Sequence, residues 1–128
     1  MLAYTIDEPR RLIRVRMSGA NTLTDLLQHF SNLSNDPKFD GAFNAIFYIT
    51  EDAKAPTALL DNVFLKMAFE QWELRRKHAK WAVVSPSRSQ LALAQRATEN
   101  ANLRFVQLRF FDDEESALSW CGSGTKSP

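Results

Sequence analysis

The sequence has one cysteine, Cys121, so an internal disulfide is excluded and the fold must come from packing and hydrogen bonding alone. Charge excess is also missing. Sixteen Lys and Arg stand against fifteen Asp and Glu, a formal net charge of +1, where a nucleic-acid binder would carry a basic surplus. No apolar run approaches the length of a membrane-spanning helix. Only four glycines occur, none in a Gly-rich phosphate loop, and neither CxxC nor HExxH is present, so no cofactor or metal is implied. The opening "MLAYTIDEPRR" carries its charges after the apolar residues and has no signal-peptide core. The resulting expectation is a cytoplasmic protein of bacterial type, with no nucleic-acid partner and no membrane span.

What is present fits one compact domain: 45% hydrophobic and 24% charged residues in 128 suffice for a real core. The domain is expected over 1–121. The segment "GSGTKSP" over 122–128 has no apolar anchor and is expected to be a flexible tail. "LAYTID" alternates Leu2, Tyr4 and Ile6 against Ala3, Thr5 and Asp7, and "RLIRVRMSG" alternates Ile13, Val15 and Met17 against Arg14, Arg16 and Ser18. Period-two patterns of this kind predict half-buried strands, and the turn residues "DEPRR" between them predict an antiparallel hairpin with Arg14 and Arg16 toward solvent.

"TLTDLLQHFSNL" places Leu23, Leu26, Leu27, Phe30 and Leu33 at helical spacing, with Thr22 and Asp25 set for a capping box. "FNAIFYIT" is apolar on both alternating sets, as in a central strand, and a long helix is expected from about 57 to 78. "KWAVVS" predicts a short buried strand, followed by a helix that opens with Ser87 and Gln90 in capping-box register. In "RFVQLRFF", Val106, Leu108 and Phe110 face one way and Gln107 and Arg109 the other, as in a strand near the sheet edge. The acidic run Asp112, Asp113, Glu114 and Glu115 then starts a terminal helix, with Asp112 and Glu115 in capping register. Capping explains these carboxylates better than a metal site, because consecutive helical residues point in different directions. The predicted fold is α/β, a mostly parallel sheet of about five strands with an amino-terminal antiparallel strand and crossover helices.

This order resembles the SpoIIAA-like STAS fold, and more narrowly the small bacterial STAS/SEC14-like proteins of uncharacterised function. The resemblance is carried by "YTIDEPRRLIRVRMSG", "LSNDPKFDGAFNAIFYITED", "WAVVSPS" and "VQLRFFDDEESALSW", and covers about Leu2 to Trp120. It implies a regulatory or protein-interaction role more than a catalytic one. Anti-sigma-factor antagonists of the STAS family carry a phosphorylatable Ser or Thr in an Asp-Ser-Ser-Gly-like turn after the central strand. This chain reads "ITEDAKAPTALL" there, and neither Thr50 nor Thr57 sits in that motif. The departure removes the basis for carrying a phosphorylation switch over.

No catalytic constellation is visible, and the expectation is a protein that is not an enzyme. His29, on the polar side of its helix, and His78, in the basic run "RRKHAK", read as solvated residues; Cys121 reads as a small, partly buried thiol. Parallel sheets bind ligands beyond the carboxyl ends of their strands. Ser85, Ser87 and Arg88, with Thr50 and Glu51 nearby, are therefore the candidate ligand residues, for a small anionic or apolar molecule; a serine cap beside an exposed arginine is the plainer reading. In the long helix, Leu59, Leu60, Val63, Phe64, Met67 and Leu74 share one face. Leu65, Phe69 and Trp72 form a second stripe that a single sheet contact leaves uncovered. A homodimer contact through these three is the expected use, with a ligand groove or burial within the chain as alternatives.

Overall fold

The computed structural model describes residues 1–54, 79–101 and 107–123. In chain order these form β1 (Leu2–Asp7), β2 (Leu12–Met17), α1 (Leu23–Ser34), β3 (Asn44–Ile49), β4 (Lys80–Val84), α2 (Arg88–Ala101), β5 (Gln107–Phe111) and α3 (Glu114–Ser123). The strands make one sheet in the order β1-β2-β3-β4-β5, with β1 antiparallel to β2 and every later pair parallel. This is the α/β class expected. The helix expected over 57–78, and with it Leu65, Phe69 and Trp72, lies outside the described residues, as do Thr57, His78, Val106 and 124–128. The terminal helix continues through Ser123, two residues past the expected domain boundary.

Alternation along β1 and β2 decides their orientation. Leu2, Tyr4 and Ile6 share a face with Ile13, Val15 and Met17, and in-register pairs such as Tyr4 with Val15 bring them side by side. The turn between the strands closes with the Arg11 amide donating to the Glu8 carbonyl at 3.1 Å. Arg11 takes φ 54° there, the left-handed region that an L residue enters at a cost. Its guanidinium lies 5.3 Å from the centroid of the Phe43 ring.

The capping box of α1 forms as predicted. Thr22 Oγ1 accepts from the Asp25 amide at 3.1 Å, and the Asp25 carboxylate accepts from the Thr22 amide at 2.8 Å. Those bonds hold the Asp25 carboxyl below its ordinary range. The helix ends at Asn35, whose amide donates to the Ser31 carbonyl at 3.1 Å.

The sheet has two unlike faces. On the first, Leu26, Phe30 and Leu33 of α1 pack with Val15, Phe47 and Trp81 of the strands, while Leu91 and Ala94 of α2 cover the β4–β5 side. Burial of such side chains contributes roughly 1.5–3 kcal/mol each. On the second, Ala117 and Cys121 of α3 pack on Ile46, Ala82 and Val84. Cys121 is 3% exposed, so the thiol is buried and not partly exposed as expected; it belongs to the small-residue contact that lets α3 approach the sheet. Because α3 lies mainly over β3, β4 and β5, the second-face residues Ala3, Thr5 and Arg16 of the hairpin stay exposed and Arg14 is half-buried.

Candidate functional site

The five candidate ligand residues fall at the carboxyl ends of two neighbouring strands: Thr50 and Glu51 follow β3, and Ser85, Ser87 and Arg88 follow β4. Local chemistry has already engaged the hydroxyls. Thr50 is buried and donates its hydroxyl to Asp52, which holds the Asp52 carboxyl below its usual range. Ser85 is fully buried; its amide donates to the Phe111 carbonyl at 3.1 Å and its Oγ accepts from the Ser87 amide at 3.2 Å. Only Glu51 and Arg88 of the five are exposed.

Backbone pairing also ties the described segments after β2 and β3 together. Ala20 and Lys54 form a parallel bridge in which the Asn21 amide donates to the Lys54 carbonyl at 2.9 Å and the Lys54 amide to the Gly19 carbonyl at 2.8 Å. Gly19 makes this return with φ +64°, a conformation that glycine adopts without the Cβ penalty. The helix start carries half of the predicted capping box. The Gln90 amide donates to Ser87 Oγ at 3.4 Å, but the Gln90 side chain donates to the Ala53 carbonyl instead of returning to the cap. Gln90 thereby ties α2 to the segment after β3, a role that its spacing from Ser87 disguised.

His29 corrects the expectation of a solvated histidine. It is 5% exposed, its Nε2 has no hydrogen-bond partner, and burial pushes its pKa down to about 4. Its ring meets Tyr4, Phe30 and Phe47 at centroid distances of 6.0, 5.5 and 6.3 Å. The Tyr4 hydroxyl next to it donates to the Asp36 carboxylate at 2.8 Å, which fastens β1 to the turn after α1.

The acidic run caps its helix, as expected, but one residue later. Asp113 accepts from the Ser116 amide at 2.7 Å and from the Ser116 hydroxyl at 3.0 Å, so Asp113 and not Asp112 is the cap, and its carboxyl is held below the ordinary range. The strand runs through Phe111 and uses Asp112 as the linking residue. Among the described residues, no three His, Cys, Asp or Glu side chains gather to hold a metal ion. No helix among them is long and apolar enough to cross a membrane.

Among the described residues, two clefts lie beside α3. One, of about 380 Å³, lies at the amino ends of β2 and β3 between Arg10, Arg11, Asn44 and Leu118. Asn44 there is structural: its amide donates to the Cys121 carbonyl at 2.7 Å and its carbonyl accepts from the Lys80 amide at 2.8 Å, joining β3, β4 and α3. The other cleft, of about 290 Å³, lies on the uncovered second face among Ala3, Thr5, Arg14, Arg16, Tyr48 and Glu114. Arg16 stacks 5.2 Å over the Tyr48 ring, and Arg14 meets Glu114 at 3.4 Å with side chains 40% and 45% exposed. Strand alternation placed the two arginines toward solvent, but the partial cover by α3 that makes a cleft of them depends on where a distant segment docks. Comparison of the chain with protein-family models, curated proteins and solved structures finds no match.

Proposed function

We propose that the chain is a non-enzymatic regulatory or protein-interaction module of the STAS/SEC14-like kind, working in the cytoplasm and self-associating through Leu65, Phe69 and Trp72. The observation that carries the interaction reading is the unequal cover of the sheet. Its second face is closed by α3 over β3–β5 and over Leu12 of β2, and more open farther along the hairpin, where Ala3, Thr5, Arg14 and Arg16 lie beside Tyr48. A face with two arginines, a tyrosine and small neighbours suits contact with another protein, since Arg and Tyr are enriched at such contacts. The alternative, a small apolar or anionic ligand at the strand ends, has less support, because Thr50 and Ser85 are buried and bonded within the chain.

A photocrosslinking amino acid placed at Thr5 tests this reading in cells of the source. Discrete adducts with protein are expected there and not from a control position at Arg96, on the exposed side of α2. Equal labelling from both positions overturns the interaction reading.

A further inference from the structure

β1 is the terminal strand of the sheet, and its hydrogen-bonding direction follows from one contact. The Ser18 amide donates to the Met1 carbonyl at 2.9 Å, which makes Met1 and Ser18 a hydrogen-bonded pair. Antiparallel pairs alternate between bonded and non-bonded. With the observed register, Ala3, Thr5 and Asp7 therefore bond to β2 through their backbones, and the amides and carbonyls of Leu2, Tyr4 and Ile6 point to the open edge. Natural edges are commonly blunted by charge, proline or a bulge, yet Leu2–Ile6 has no charged residue and no proline and pairs without interruption.

On the second face, the side chains next to that edge are small. Ala3 lies directly across from Arg16 and Thr5 across from Arg14. A strand added beyond β1 would lie about 10 Å from β2, two inter-strand spacings. Arg16 leans over the Tyr48 ring of β3 and Arg14 toward Glu114 of α3, but across residues as small as Ala3 and Thr5 these long side chains can turn toward that added row, as diagonal neighbours do in sheets. The groups that compete for the arginines are Glu114 for Arg14, and the Tyr48 ring and the Asp52 carboxylate for Arg16, all at exposed or half-exposed positions. An exposed ion pair of that kind is weak and exchanges readily for a better-placed carboxylate.

Resting on the reading of this face as an interaction surface, we propose that the β1 edge takes up an extended acidic peptide segment as a sixth strand. Its backbone pairs with Leu2, Tyr4 and Ile6, and carboxylates at alternate positions lie over Ala3 and Thr5 against Arg16 and Arg14. Backbone pairing supplies the attachment, and the arginines select the charge of the partner.

The test uses the full chain and a short synthetic peptide that alternates glutamate with valine, with a lysine-for-glutamate peptide as its counterpart. The glutamate peptide is expected to slow amide hydrogen exchange at Leu2, Tyr4 and Ile6. Arg16→Glu, at an exposed position, is expected to weaken its binding about tenfold or more and to strengthen binding of the lysine peptide. Circular dichroism of the variant confirms that the fold is kept; Arg16→Lys, which retains the charge, is expected to bind within a few-fold of the wild type. Equal binding of both peptides, protection at β5 in place of β1, or no binding overturns the proposal. Protection at β1 that rises with protein concentration without peptide also overturns it, since a second copy then fills the edge. In each case, adducts at Thr5 in the crosslinking experiment leave the broader interaction reading standing, and their absence removes both.

Discussion

The His29 ring lies edge-on to Tyr4, with centroids 6.0 Å apart and planes at 66°, and its Nε2 is buried without a hydrogen-bond partner. Burial lowers its pKa from 6.5 to about 4, so the folded state holds the neutral imidazole and the unfolded chain binds the extra proton. The stability this contributes is present above pH 6.5 and is lost as pH falls toward 4, by roughly 3 kcal/mol across the window. His29→Leu is expected to flatten that dependence. Denaturant midpoints at about pH 7 and about pH 5 measure it; an equal pH slope in wild type and variant contradicts the assignment.

Asn44 joins three elements with one side chain, so Asn44→Ala removes its bonds to the Cys121 carbonyl and the Lys80 amide together. A loss of about 2–4 kcal/mol is expected, larger than for an exposed asparagine. Chemical denaturation gives the value, and a change under about 0.5 kcal/mol counts against the bridging role.

The position of the α3 cap separates two neighbouring carboxylates. Asp113→Ala is expected to cost about 1 kcal/mol, and Asp112→Ala about 0.5 kcal/mol or less. The reverse order in thermal melts would put the cap at Asp112.

Self-association is tested at Phe69. The wild-type chain is expected to sediment as a dimer and Phe69→Glu as a monomer with unchanged circular dichroism, because a charge in an apolar contact is costly. A wild-type monomer at high concentration rejects the dimer. A variant that loses its folded signal places Phe69 in the chain's own core.

The faces of β1 and β2 and the capping of α1 were legible because they depend on local rules: alternation sets strand faces, and Thr22 with Asp25 sets a helix start. His29 was legible in principle as well. It stands three residues after Leu26 and four before Leu33, on the same buried side, and a polar residue type hid what the spacing indicated. Asn44 and Gln90 were not legible, since their partners, Cys121 and Ala53, are distant in sequence and become neighbours only after folding. The same holds for the cleft at Arg14 and Arg16, which exists because α3 reaches β2 only at Leu12 and Arg14 and leaves Ala3, Thr5 and Arg16 exposed.

The agreement between chain order and sheet order bears on how the protein is made. Each strand after β1 pairs with one already synthesised, so the sheet can grow in a single direction as the chain leaves the ribosome. The hairpin needs only a local turn and closes early, whereas the helix that seals Ile46, Ala82 and Val84 from water is translated after all five strands. A nascent chain halted before Glu114 would therefore present those three side chains as an exposed apolar patch, a ready target for chaperones and for aggregation until translation resumes.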